Sequence, residues 1–404
     1  MAEQRKVGQA RRSALALGFG LNLLLGGCAI VPDPAAPQAS AGPAQVQAPP
    51  QAQPAPIRPA PSPAQPVLPA ADMRNRVAVL VPLTGANAGV GQSIANAANL
   101  ALADSGGERI RITTYDTAKG AAAAADQALA EGNRFFLGPL LADDVRTIAP
   151  LARGARVPVV AFSNDVSVAG NGVYLMGFVP GQSIERVVSY ARGQGVQRFA
   201  GLIPSGVYGQ RASGALITAV ERAGGRMVAM QTYARSPASV RAAVGRLDAQ
   251  SGYDAVLIAD GGRMAAVAAS AIRSGPSRAA RILGTELWAA EADLASQSAL
   301  HGAWFAAAPG GMFDQLGTRY RARYGSNPYR LASLGYDAVL MTVRVAAGWP
   351  AGQPFPEQAL RTQAFTGIDG PFRFWRDGIA DRSLEVQQVG PAGVTTVSAA
   401  ITAR

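Results

Sequence analysis

The stretch Arg76-Val77-Ala78-Val79-Leu80-Val81-Pro82-Leu83-Thr84-Gly85 carries the strongest fold signal in the chain. Its apolar run from Val77 to Val81 is continuous rather than alternating, the pattern of a parallel strand covered on both faces. The run stops at a proline and a Thr-Gly turn, and a Gly-containing loop through Gly89 and Gly91 leads into Ser93 to Asp104. There Ile94, Ala97, Ala98 and Ala101 fall on one helical face. A buried strand followed by such a helix is one βα unit of a doubly wound α/β sheet.

Outward from this unit the rhythm repeats. Strands at Arg109 to Tyr115, Arg134 to Leu137, Val157 to Val160 and Val173 to Met176 complete a first run. A second run follows Gly181, with strands at Phe199 to Ile203, Met227 to Tyr233, Ala255 to Ala259 and Ile282 to Leu283. Helix-like segments such as Gln210 to Ala223 and Pro237 to Ser251 separate them. Two runs of βα units predict two Rossmann-like lobes, with ligands expected in the cleft beyond the carboxyl ends of the strands. The remaining segment breaks the rhythm: an apolar stretch at Trp304 to Ala308, helices near Phe313 to Tyr324 and Leu331 to Gly348, then a β-like tail. In that tail Gly370 to Trp375 and Leu384 to Val389 flank a turn at Asp377-Gly378. The expectation is a chain that crosses between the lobes about three times, with 76–178 plus 304–350 in the first lobe and 179–303 plus 351–395 in the second.

Composition narrows the function. The chain has 404 residues, more than one core usually organises, and is 49% apolar. Charged residues are 16% of it, below the ~25% of an average soluble protein. Of its formal +11, residues 1–28 hold +3, leaving +8 for the rest, and nearly all of that is arginine because Lys6 and Lys119 are the only lysines. The arginines are scattered and aromatics are only 6%, so the cationic stripe with interleaved aromatics of a nucleic-acid binder is missing. The single cysteine, Cys28, excludes an intrachain disulfide, and with the single histidine, His301, it cannot complete a zinc site. Ser-His or Cys-His catalysis would have to recruit His301, which reads as a structural or surface residue. No enzyme activity, metal or cofactor is therefore expected.

The first 75 residues have another character. A basic stretch through Arg12 precedes an apolar one from Ser13 to Gly27, too short for a bilayer span of ~20 residues and fitting a cleaved signal at 1–28. Thirteen of the chain's 28 prolines lie in 31–72, so residues 29–75 read as a disordered, polyproline-II-biased tether.

Leu25-Gly26-Gly27-Cys28 resembles the bacterial lipobox, which implies cleavage ahead of a lipidated Cys28 and a membrane anchor on the periplasmic side of the envelope. Ala29 in place of Asp implies onward sorting to the outer membrane. Residues 76–390 resemble the type I periplasmic-binding-protein fold, in the branch of branched-chain amino-acid binding proteins and penicillin-binding protein activator lipoproteins. The marks are Pro82 to Gly85, Gly138-Pro139, Pro158 to Asp165, Tyr208-Gly209 and Tyr336-Asp337-Ala338-Val339. Closest to the activators are Gly284 to Trp288, His301 to Ala307 and Gly367-Ile368-Asp369-Gly370-Pro371-Phe372. The resemblance implies a non-catalytic regulator whose partner is a peptidoglycan synthase; the alternative is an ABC-importer receptor for an amino-acid-like ligand. One departure favours the first. Amino-acid binders of this fold place Ser or Thr shortly after the Gly138 position, whereas Leu140-Leu141-Ala142-Asp143-Asp144 offers an alanine and two acids.

The candidate cleft residues are Thr84, Ser163, Asn164 and Asp165 from the first lobe and Tyr208, Asp260, Glu286 and Trp288 from the second. All are polar or aromatic and follow expected strands. The same positions also allow Asp165 to cap a helix, Thr84 and Ser163 to close turns, and Trp288 to pack. Gly85, Gly89 and Gly91 fit neither a P-loop nor a dinucleotide fingerprint.

Overall fold

In the computed structural model residues 73–400 are described, apart from Ser251 and Ala292, so the signal, Cys28 and most of the tether lie outside the described residues. From Asn75 the chain lays down β1 (Asn75–Val81), α1 (Ala88–Ser105), β2 (Ile110–Asp116), α2 (Ala121–Ala130), β3 (Phe135–Leu137), α3 (Ala142–Gly154), β4 (Val159–Ala161) and β5 (Val173–Leu175). These strands form a parallel sheet in the order β2-β1-β3-β4-β5. The chain then crosses over and repeats itself as α4 (Pro180–Gly193), β6 (Arg198–Pro204), α5 (Val207–Arg222), β7 (Arg226–Tyr233), α6 (Pro237–Asp248), β8 (Ala255–Ile258), α7 (Gly262–Ser274), β9 (Arg281–Gly284) and β10 (Trp304–Ala307). The parallel part of this sheet runs β7-β6-β8-β9-β10, the same winding as in the first lobe. A second crossing leads to α8 (Gly311–Tyr324), α9 (Ala332–Ala346), α10 (Gln358–Thr362) and a small antiparallel sheet of β11 (Ala364–Gly367), β12 (Gly370–Phe374) and β13 (Ala380–Arg382). A third crossing returns the chain as β14 (Glu385–Gly390) and β15 (Gly393–Ser398), which extend the second sheet antiparallel to β10.

The continuous apolar run is fully interior: Val77 to Val81 are all 0% exposed, with alternate residues in two cores on opposite faces of the sheet. The loop expected through Gly89 and Gly91 is instead the first turn and a half of α1, and Gly91 shows why glycine is there. A Cβ on Gly91 would sit 1.8 Å from the carbonyl oxygen of Pro82, the residue just after β1. The second lobe repeats the device, since a Cβ on Gly209 of α5 would lie 1.7 Å from the Pro204 carbonyl oxygen ending β6. In both lobes the helix starts hard against the strand that feeds it.

Two boundaries differ from the expectation. β10 belongs to the second sheet, pairing with β9 and β14, not to the first lobe. A four-residue apolar strand has no feature that selects one parallel sheet over another. Conversely, Phe355, Phe365, Phe372 and Phe374 lie in the core of the first lobe with Val77, Val79 and Val81, so the stretch through Arg382 belongs there and only β14 and β15 return to the second. The turn at Asp377-Gly378 likewise joins β12 to β13, whereas Leu384 to Val389 is the third crossing and β14.

The first lobe is locked near the crossings by buried charge. Asp337 of α9 accepts hydrogen bonds from the amides of Ile368, at 2.6 Å, and Asp369, at 3.3 Å. Asp369 is 0% exposed and pairs with Arg330 at 2.7 Å. Between the two carboxylates, 4.0 Å from each, lies the Arg382 guanidinium, which also donates to the Met176 carbonyl at 2.8 Å. Phe178 takes both Arg330 and Arg382 against its ring faces. The motifs around Tyr336-Asp337 and Gly367 to Phe372 thus meet in one cluster, beside the crossing that leaves β5.

Arg382→Ala is expected to lower the unfolding free energy by about 3–5 kcal/mol, the cost of stripping a buried carboxylate pair of its partner, read by urea denaturation. Burial first, and then the Asp369 charge, push the Asp337 carboxyl from 3.8 up to about 7 against the pull of Arg382. The native state then holds a proton that the unfolded chain releases. This group's contribution is fullest below about pH 4 and fades as pH rises to about 7. Asp337→Asn should remove that component from a plot of stability against pH.

Candidate functional site

The carboxyl ends of both sheets face a common cleft, and in each lobe the strand order reverses direction at the first strand, β1 or β6, where this architecture places its sites. Thr84 follows β1 and is exposed, its hydroxyl donating to Asp116 Oδ2 at 2.8 Å. Asp116 Oδ1 accepts from the amides of Leu83 and Ala118. Thr84 thus fastens the turn after β1 to the end of β2, and the structure does not bring it to the other candidates.

After β4 the chain builds a tighter unit. Ser163 Oγ accepts the Asp165 amide at 3.1 Å, and Asp165 caps the short 3₁₀ turn Val166–Val168 by accepting the Ser167 amide at 3.0 Å. Asn164 points to solvent. The buried Asp165 Oδ2 receives two guanidiniums at 2.7 Å each, Arg146 from α3 of its own lobe and Arg211 from α5 of the other. Burial would raise this carboxyl, but Ser167 and the two arginines outweigh it and hold it below the usual carboxylate range. Asp165 is both the helix cap its sequence context allows and a bond between lobes.

In the second lobe Tyr208, in the first turn of α5, places its hydroxyl 3.0 Å from Thr285 Oγ1 and 3.0 Å from Glu286 Oε1. The other Glu286 oxygen meets the Ser183 hydroxyl of α4, which also lies 3.0 Å from the Pro180 carbonyl. Burial drives the Glu286 carboxyl upward, only partly offset by Ser183 and Tyr208, while burial and the Glu286 charge raise the Tyr208 phenol. Asp260 follows β8 and accepts from Tyr233 Oη at 3.0 Å, the Gly261 amide at 2.9 Å and Arg235 at 3.2 Å. Trp288 is fully buried, packs against Phe305, and donates Nε1 to the Asp260 carbonyl at 2.9 Å. It is a scaffold for the loop after β8 rather than a face of the cleft.

Tyr208 and Glu286 are therefore brought together, Asp260 and Trp288 share a second network, and Asp165 joins the lobes through Arg211. Arg211, Arg146, Ser183 and Arg235 were missed. Arg211 had one signal: three residues after Tyr208 in a helix, it shares that residue's face. Across the cleft, the start of α3 carries Asp143 and Asp144 in its first turn. Asp143 is spent on Arg146 at 2.7 Å, and Asp144 is raised by burial and then by Asp143, with the Thr117 hydroxyl opposing. His301 lies outside the cleft, with Nε2 2.8 Å from the Ala295 carbonyl. Among the described residues no cluster of His, Cys, Asp and Glu could hold a metal ion.

Arg211→Ala removes the interlobe partner of Asp165 while leaving Arg146 in place. The distance between spin labels set on the two lobes should broaden toward longer values, measured by electron–electron double resonance. Trp288→Phe should cost ~1–3 kcal/mol through the orphaned Asp260 carbonyl and leave that distance distribution unchanged.

Known proteins share this architecture. The leucine-binding protein LivK of Thermotoga maritima superposes with a TM-score of 0.62 at 21% identity, over 81% of this chain and 99% of its own. Full-length LpoA of Haemophilus influenzae superposes with a TM-score of 0.62 at 18% identity, over 80% of this chain and 59% of its own. An uncharacterized protein of Rickettsia prowazekii is 25% identical over 170 residues, which is 42% of this chain and 46% of that protein. The periplasmic binding protein family matches residues 75–394. With its strand order, its crossings and a family match spanning both lobes, the chain belongs to the periplasmic binding proteins.

Proposed function

We propose that this chain is a non-catalytic envelope lipoprotein, held by lipid on Cys28 at the periplasmic face of the outer membrane, that regulates peptidoglycan synthesis by binding a penicillin-binding protein. In this reading the body activates the synthase by binding its active state better than its inactive one. One observation carries the reading: the three candidate acids of the cleft, Asp165, Asp260 and Glu286, are already engaged by other groups of the chain. Asp165 holds Arg211 across the lobes, Asp260 holds Arg235, and Glu286 is enclosed by Tyr208 and Ser183. A solute entering the cleft would have to break an ion pair that already joins the two lobes, and Asp143 and Asp144 stand where an amino-acid carboxylate would be received. The motifs that resemble those of the activator lipoproteins support the same reading, while the fold itself is common to LpoA and to the leucine-binding LivK.

The second reading, an importer's solute receptor for an amino-acid-like ligand, rests on Tyr208 and Glu286, a phenol and a carboxyl placed side by side on the second lobe as an ammonium group would need. Two measurements separate the readings. Amino acids screened against the purified chain are expected to leave its melting temperature unchanged; a receptor would gain about 2.7 kcal/mol at a hundredfold excess over Kd. Crosslinking in the intact envelope should recover a penicillin-binding protein, and recovery of an importer permease with an amino-acid-induced melting shift would replace the first reading by the second. Mass spectrometry of the mature N-terminus should find acyl chains on Cys28.

A further inference from the structure

Four helices of this chain end in the same way. After α2, α4 and α5 the chain turns through a left-handed glycine, Gly132, Gly195 or Gly224, with φ of 81°, 93° and 69°. In each case the glycine amide bonds the carbonyl three residues back, and the next amide bonds the carbonyl five residues back. This is the Schellman ending, in which glycine is favoured because it alone has no Cβ to clash. α3 ends with the same two bonds, Arg156 to the Arg153 carbonyl at 3.0 Å and Val157 to the Ala152 carbonyl at 2.8 Å. The residue forced left-handed there, at φ 57°, is an arginine.

The only other non-glycine residue with positive φ among the described residues is Asn171, in an Asn-Gly turn where that conformation is ordinary. Arg156 has no such excuse, and its side chain makes no hydrogen bond or ion pair among the described residues. A long, charged side chain kept at a strained position without a partner is a local rule broken with no structural return.

Both features converge on one cavity. It measures about 440 Å³ and lies at the amino ends of β4 and β5, on the opposite side of the first lobe from the cleft. Its floor is apolar, formed by Ala152, Val157, Val159 and Val173, and Arg153 and Arg156 stand at its rim. Arg153 spends only Nε, on the Asn171 carbonyl at 3.4 Å. Glu357 also lines the cavity, and its Oε1 accepts from the Tyr174 hydroxyl at 2.6 Å and from Arg361 at 3.0 Å, which offsets its charge. The size suits a small molecule. The apolar floor asks for a hydrocarbon body, and the two guanidiniums for an anionic head. Since the carbonyl end of α3 points here, a single negative charge is better received than the double charge of a phosphate.

The geometry points to a second binding site, distinct from the interlobe cleft, for a small amphipathic carboxylate held by Arg156 and Arg153 over the Val157–Val173 floor. Octanoate titrated calorimetrically into the full-length chain should bind saturably, while octanol and inorganic phosphate should not. Arg156→Gly places the favoured residue at the helix end, so the variant should melt higher than the parent and bind octanoate at least about tenfold more weakly, the usual loss for a charge-assisted hydrogen bond. Arg153→Gln should weaken octanoate as well, and Arg211→Ala in the cleft should not. The assignment is overturned if octanoate does not saturate, if octanol or phosphate binds as well, or if Arg156→Gly binds octanoate like the parent.

Discussion

The arrangement of this molecule depends on an ionic cluster buried where the chain leaves the first lobe. Arg382 stands between Asp337 and Asp369, Arg330 completes the charge balance, and both guanidiniums pack against the Phe178 ring. Such a group contributes little net stability over an apolar core of the same shape, but it is unforgiving of any other arrangement, because each displaced partner leaves a charge stranded away from water. It therefore fixes where the late helix α9, the small antiparallel sheet and the departing strand β5 sit relative to one another. Close packing makes the same demand, since a Cβ at Gly367 would lie 2.2 Å from the Asp337 carboxylate.

From that fixed point the cleft follows. The first crossing carries the chain from Met176, held by Arg382, into α4, whose Ser183 encloses Glu286, and then through β6 into α5 with Tyr208 and Arg211. The buried cluster is an ionic tie within the first lobe, whereas the Asp165–Arg211 pair ties the two lobes together and is partly exposed at its arginine, open to competition from water and salt.

How much of this the sequence made legible depended on the range of the interaction. The run from Val77 to Val81 announced a buried parallel strand because a strand covered on both faces needs no polar alternation, and the close approach of a helix glycine to a proline carbonyl after it recurs in the second lobe at a different spacing. Allegiance to one sheet or the other was not legible. β10 is apolar whichever sheet receives it, and the hairpin of β12 and β13 resembled one that could have included β14. At the site, residue types after strand ends picked out Tyr208, Glu286 and Asp165, which the structure draws into hydrogen-bonded and ion-paired networks. Their partners escaped notice, since Asp165 and Arg211, or Ser183 and Glu286, are joined only by the fold. Trp288 misled for the opposite reason, as a large aromatic after a strand serves equally as a wall of a site or as its buried foundation.

The threefold crossing has a further consequence for how this molecule comes into being. The second lobe's parallel strands, β6 to β10, form one uninterrupted stretch, whereas the first lobe is split: β1 to β5 emerge early and wait for α8 to β13 to be delivered after its neighbour. Its first strand β1 borrows apolar cover from Tyr336, Val339 and Phe365, more than 250 residues away in order of synthesis. The earlier half must remain open, with unburied strands, until the last third of the polypeptide arrives. The parallel part of the second lobe can close before the first lobe is complete, and β14 and β15 are added to its sheet last.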